Sequence, residues 1–202
     1  VISVCAYPLK AKIKGPPWES NADLTTANAL PLFDRDYEQR DRLRWMLDKR
    51  FANKAKAFYE FEANLSKAAY FYPYFARFQR ALGAQSVTMW TYSLSPTSFH
   101  QHGHHYLNYH TSPQKAAGAA AAAEIFKKTP RFTPYQTGMK DRAVWDLADG
   151  KAAGSYQLDL AVVYTPDVYI NANGVDWRPF EVKRLPKQII GYGSSDCVTY
   201  DG

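Results

Sequence analysis

The sequence predicts an α+β fold, with a long N-terminal amphipathic helix region, an Ala-rich helix, and a small antiparallel sheet or hairpin near the C-terminus, preceded by an extended arm. Three observations predict it. Apolar residues recur at helical spacing through residues 34–72, five consecutive alanines stand at 119–123, and strand-like runs flank the Asn173–Gly174 turn dipeptide. The chain has 202 residues, 46% of them hydrophobic, and is long enough to bury a core.

The first 33 residues are predicted to form an extended, Pro-containing arm. Pro16, Pro17 and Pro31 interrupt any long periodicity, and Trp18 is an obvious apolar anchor. An arm with isolated anchors usually lies across another surface. Residues 34–202 are then expected to form a single α+β domain, helical over 34–83 and mixed over 84–202.

The helical region is predicted from an apolar stripe of period 3.6. The stripe comprises Leu43, Leu47, Phe51, Ala55, Phe58, Leu65, Ala69 and Tyr72. The helix is either continuous or broken at Asn64–Ser66, since Asn and Ser favour helix caps. Pro73 ends this helix or restarts it, and a second helix over 74–82 stops at Gly83, a favoured residue just after a helix end.

The mixed region is predicted from shorter signals. Residues 86–94 alternate as a strand does, and Ser112 followed by Pro113 is typical of a helix start. This Ala-rich helix is expected to run to Lys128 and to depend on close approach to another element, because alanine buries little area. Residues 155–164, 168–171 and 188–190 are strand-like, and we expect a hairpin at Asn173–Gly174.

Charge is unevenly distributed along the chain. The net charge is +6, with about +9 over residues 1–140 and about −3 over 141–202. A basic body suits an acidic partner, an anionic surface or nucleic acid, although simple solubility is the more common reason for such a charge. No apolar run approaches the ~20 residues of a membrane span.

The ends of the chain bear on its compartment. The first residue is Val1, which suggests a removed presequence or a fragment, so we expect an organellar protein, a mitochondrial one first and a secreted one second. Cys5 and Cys197 are interpreted as free thiols, with an end-to-end disulfide left open.

All five histidines lie within eleven residues, in the run FHQHGHHYLNYH. In an extended segment His100, His102 and His104 share one face, where neutral imidazoles with support from His105 can bind Zn, Fe or Cu. No acidic residue lies between Glu62 and Glu124, so a carboxylate ligand would come from a distant segment. A purely structural, hydrogen-bonding role is the alternative. We therefore expect either no cofactor or a single divalent transition metal.

A stretch rich in rings and arginines predicts a protein interface. Its members are Tyr70, Phe71, Tyr72, Tyr74, Arg77 and Arg80, and Trp18 of the arm is added to them. An intramolecular core and a single-stranded nucleic-acid surface are the alternatives.

The function predicted from the sequence is that of a non-catalytic accessory or structural subunit of a large, organellar assembly. No phosphate-binding loop, nucleophile elbow or HExxH motif is present, which favours a non-enzymatic role. The expected partners are other protein subunits. The alternatives are a metal-binding protein or metalloenzyme built on the histidines, and then a ribosomal or other nucleic-acid-associated protein.

Overall fold

The structure is a computed structural model that describes residues 1–7, 24–61, 65–89, 92–98, 106–172, 181, 186–192 and 197–201. Its strands are β1 (Ile2–Ala6), β2 (Lys56–Phe61), β3 (Ser86–Met89), β4 (Arg142–Asp146), β5 (Lys151–Ser155), β6 (Leu160–Tyr164), β7 (Val168–Asn171), β8 (Gln188–Tyr192) and β9 (Cys197–Asp201). Its α-helices are α1 (Leu30–Glu38), α2 (Phe71–Ala81), the single turn α3 (Ser95–Ser98) and α4 (Pro113–Lys128). Two 3₁₀ turns, Arg44–Leu47 and Lys49–Phe51, connect α1 to β2.

The predicted long N-terminal helix is wrong, because a short helix, two 3₁₀ turns and a strand occupy that region. Helix α1 ends at Glu38, and Asp48 caps the second 3₁₀ turn by accepting the backbone N–H of Arg50 at 2.9 Å. Residues 56–61 then pair with strands on both sides, and this pairing overrides the apparent helical spacing of Phe58.

The N-terminal sheet is parallel and has the order β1-β2-β3. Ile2 pairs with Lys56, and Phe58 pairs with Val87. Within the segment predicted as an arm, residues 2–6 are therefore a sheet strand and α1 begins at Leu30, whereas residues 8–23 lie outside the described residues. Cys5 is a free thiol that donates to Glu60 Oε2 at 3.0 Å.

The C-terminal sheet has six strands in the order β4-β5-β6-β7-β8-β9. Its pairs are antiparallel except β7 with β8, which is parallel. The predicted small antiparallel hairpin is therefore also wrong: a two-residue turn cannot join parallel neighbours such as β7 and β8. Asn173–Gly174 itself lies outside the described residues.

Helix α2 lies between the two sheets, and nearly all of its residues are buried. On one side the ring of Phe75 stacks on that of Phe61 at a centroid distance of 3.9 Å. On the other side Tyr74 lies edge-on to Trp145 of β4, and its hydroxyl donates to the carbonyl oxygen of Asp141 at 2.6 Å. After α2, Gly83 takes a φ of 85°, as expected for a residue that follows a helix end.

Helix α4 packs on α2 and on strands β6 to β8. Its bounds are those predicted from Pro113 and the lysine-rich last turn. A Cβ atom built on Gly118 would lie 2.9 Å from the carbonyl oxygen of Ala69, so only glycine lets the two backbones approach this closely. Among the helices of the described ranges, none is both long and apolar enough to cross a membrane.

Candidate functional site

The residues predicted to bind a metal, His100, His102, His104 and His105, lie outside the described residues. His110 is described and is exposed in the turn before α4. Within the described ranges, no three His, Cys, Asp or Glu side chains are grouped to hold a metal ion. The metal site stays a prediction.

Asn108 holds the two chain segments that flank the histidine run against each other. Tyr92 and Leu107 form a parallel β-bridge, and the backbone N–H of Ser93 donates to the carbonyl oxygen of Leu107 at 3.0 Å. The Asn108 side chain is fully buried; its Nδ2 donates to the carbonyl oxygen of Ser93 at 2.6 Å, and its Oδ1 accepts the backbone N–H of His110 at 2.7 Å. The residues on either side of 99–105 are therefore fixed side by side.

Three large side chains next to this bridge are exposed. Tyr92 is 50% exposed, Leu94 67% and Tyr109 61%, whereas the intervening Ser93 and Asn108 are buried. We call Tyr92, Leu94 and Tyr109 the bridge surface. Single exposed apolar side chains are common at protein surfaces, and it is the occurrence of three beside one hydrogen-bonded bridge that makes this a candidate contact site.

The residues predicted as an interface lie instead in the chain's own core. Tyr70, Phe71, Tyr72 and Tyr74 are at most 1% exposed and Arg77 is 6% exposed. Tyr70, for example, accepts the backbone N–H of Ala29 at 2.9 Å and donates its hydroxyl to the carbonyl oxygen of Ala27 at 2.8 Å. Trp18 lies outside the described residues.

Arg80, the last of the predicted interface residues, binds backbone carbonyl groups within the chain. Its Nε donates to the carbonyl oxygen of Thr129 at 2.7 Å, and its Nη1 donates to that of Ala84 at 2.6 Å. The guanidinium also lies over the Phe126 ring, 4.7 Å from its centroid. Arg80 thereby ties the end of α2 to the end of α4.

A cavity of about 360 Å³ lies between β3, α2 and α4. Aromatic rings on the β2 and α2 side, including Phe61, Tyr72 and Phe75, face three alanines of α4, Ala119, Ala122 and Ala123. Val87 and Met89 of β3 close one side together with the polar Gln85 and Ser86, and Phe126 and Lys127 lie at the α4 end. The volume and the mainly apolar lining fall within the range of small-molecule pockets.

Gln79 is the polar residue of α2 that lines this cavity. It is 2% exposed, and its Nε2 is buried without a hydrogen-bond partner. Lys127 at the α4 end is paired with Glu124 at 2.9 Å, so the two charges offset each other. The sequence predictions do not include this site: Gln79 follows Phe75 by four residues and so interrupts the apolar face of α2, but nothing in the sequence marks a cavity there.

Three further buried polar groups lie between α1, α2 and residues 131–139. Asp34 Oδ1, Arg77 Nε and Nη1, and the Tyr135 hydroxyl have no hydrogen-bond partner. Tyr135 lies close enough to Asp34 and Arg77 to feel both charges, and burial raises its pKa. Burial also raises the pKa of Asp34 and lowers that of Arg77. The unmet hydrogen bonds make this cluster a cost to stability.

Asp159 occupies the N-terminus of α2. Its Oδ1 accepts the backbone N–H of Tyr70 at 3.0 Å, and the residue has a φ of 46°. Burial raises the pKa of the Asp159 carboxyl to about 6, against the opposing effect of the backbone N–H groups of Tyr70 and Ala69.

Comparison of the chain with known protein families, with curated proteins and with solved structures found no match.

Proposed function

We propose that this chain is a non-catalytic accessory subunit of a larger protein assembly and that it contacts a partner chain through the bridge surface. The observation that carries the proposal is the exposure of Tyr92, Leu94 and Tyr109, each at least half exposed. Large apolar side chains grouped at a surface are stabilised when a partner removes them from water.

The frame beneath the bridge surface supports a contact role. Asn108 links its two segments through the hydrogen bond to Ser93 and closes the local turn through the one from His110, so the exposed side chains stand on hydrogen-bonded backbone. An ordered surface loses less conformational entropy on association than a flexible one. Tyrosine adds a large ring with few rotatable bonds, which suits it to the centre of an interface.

The remaining parts of the proposal rest on the sequence. No recognised catalytic motif is present, and the basic charge of residues 1–140 favours an acidic partner subunit. The organellar compartment, mitochondrial before secreted, stays a prediction.

The test is purification of the tagged full-length chain from its own cells under gentle conditions, followed by native mass spectrometry. We expect a stoichiometric complex with defined protein partners, which Leu94→Asp and Tyr109→Asp dissociate. Val144→Asp is the matched control, because Val144 is also apolar and exposed (48%) but lies on β4. A monomer without partners would refute the proposal, as would a complex that survives both bridge-surface substitutions.

The metal-binding alternative stays a prediction that elemental analysis can check. If His100, His102 and His104 bind a metal, the purified chain retains about one equivalent of Zn, Fe or Cu, which their joint replacement by alanine removes. Nucleic-acid binding predicts instead an affinity that falls steeply with added salt.

A further inference from the structure

We propose that the cavity between β3, α2 and α4 binds an uncharged small molecule with a compact apolar body and one hydrogen-bond acceptor, which Gln79 recognises. The inference goes beyond the proposed function and shares no residue with the bridge surface.

The lining of the cavity favours a compact apolar body. Its volume of about 360 Å³ is bounded on one side by the rings of Phe61, Tyr72 and Phe75. The rings of Phe61 and Phe75 stack on each other at a centroid distance of 3.9 Å, so part of their surface is already covered. On the other side α4 contributes only alanine side chains over 119–123, which leave open the space that larger residues would fill. A single aromatic ring or a compact alicyclic group suits this volume and this lining.

The polar requirement comes from Gln79. Its Nε2 is buried without a hydrogen-bond partner, which destabilises the folded chain relative to a hydrogen-bonded amide. In this structure the Nε2 atom has no surface open to the cavity, so the amide must turn about its soft terminal torsion to meet a ligand. A carbonyl or ether oxygen on the ligand would accept this hydrogen and remove the penalty.

The charges around the cavity favour an uncharged ligand. Among the described residues that line the cavity, Lys127 is the charged one, and its ammonium is paired with Glu124 at 2.9 Å. A carboxylate or a phosphate would have to compete with Glu124 for it. The same described residues include no carboxylate, so a cation would enter at a high desolvation cost.

The test uses two probes of nearly the same shape. The first is acetophenone, and the second is α-methylstyrene, in which a CH₂ group replaces the carbonyl oxygen of acetophenone. Each is titrated into the full chain while the methyl NMR signals of the three methionines are followed. Met89 lines the cavity, and Met46 and Met139 serve as internal controls because they do not. We expect the Met89 signal to shift saturably, with an affinity of about millimolar or better, and acetophenone to bind roughly threefold to tenfold more tightly.

Two variants assign the binding. Gln79→Met keeps the side-chain length and removes the donor, so it is expected to abolish the preference for acetophenone without loss of stability. Ala122→Leu fills the cavity and is expected to abolish binding of both probes; if it does not fold, Ala119→Leu replaces it. An unmoved Met89 signal would overturn the proposal, and so would an unchanged preference in Gln79→Met or unchanged binding in the filled variant. These outcomes are independent of whether a protein partner binds the bridge surface.

Discussion

Replacement of Asp159 by asparagine tests whether burial of this carboxyl costs stability at neutral pH. The carboxyl has its pKa raised from 3.8 to about 6 in the folded chain, and burial is the largest cause. A carboxyl with a higher pKa in the folded state binds its proton more tightly there than in the unfolded chain. The free energy of unfolding therefore decreases as the pH rises from about 4 to about 6.

The expected magnitude follows from the size of the shift. A shift of about two pKa units corresponds to about 3 kcal/mol at 1.36 kcal/mol per unit. Asparagine is neutral throughout, its side-chain oxygen can still accept the backbone N–H of Tyr70, and it tolerates the φ of 46° better than most residues. Asp159→Asn is thus expected to be more stable than the natural chain at pH 7 and to lose most of that advantage near pH 4.

The assay is urea unfolding of both chains, followed by far-ultraviolet circular dichroism between pH 4.5 and 7.5. Asp48→Asn is the control, because the guanidinium of Arg50 lowers the pKa of Asp48 to about 2. A carboxyl whose pKa is lowered by folding stabilises the folded chain above its ordinary pKa of 3.8, and this stabilisation is lost as the pH falls below that value. That loss lies outside the pH range of the assay. The control should run parallel to the natural chain. A constant difference between Asp159→Asn and the natural chain across the window would refute the reasoning.

Three further substitutions test the packing. Gly118→Ala should lower the free energy of unfolding by about 1–2 kcal/mol in urea, although alanine favours helices, because its Cβ would lie 2.9 Å from the carbonyl oxygen of Ala69. A stabilised variant would show that the two backbones separate freely. Tyr135→Phe should leave the free energy of unfolding unchanged or raise it by about 1 kcal/mol, because it removes a buried hydroxyl without a partner. A decrease of more than about 1 kcal/mol would show that the hydroxyl forms a hydrogen bond in solution. Asn108→Ala should cost about 2–3 kcal/mol and speed amide exchange at Ser93, since it breaks one buried hydrogen bond to Ser93 and two partly buried ones from the backbone N–H groups of His110 and Thr111. Unchanged exchange would contradict its role.

The sequence allowed accurate prediction where the signals were local. Helix α4 follows from Pro113 at its start and lysines in its last turn, and Gly83 marks the end of α2. Strand β2 was mistaken for a helix because its apolar residues happen to continue a helical spacing. Its identity depends on β1 and β3, which lie far away in sequence, and single-segment periodicity carries no information about such partners.

The candidate sites show the same division. Tyrosine and arginine are enriched in interfaces and are also used in large aromatic cores, so residues 70–80 could not be assigned from composition. What decides the matter is that a sheet covers α2 on each side, as the contacts of Tyr74 and Phe75 show. The cavity was equally beyond prediction, because it depends on how closely α4 approaches α2.

The position of α2 between two sheets also matters while the chain is being synthesised. Strands β1, β2 and β3 pair only with one another, and all three have been synthesised once Met89 is added. The first sheet can therefore form before the second half of the chain exists. The opposite side of α2 is covered by α4 and by β4 and β5, which end at Ser155. The aromatic helix is therefore exposed on the ribosome until the later segments emerge. A nascent chain of this kind is prone to aggregate and is a natural client for a chaperone that binds apolar helices.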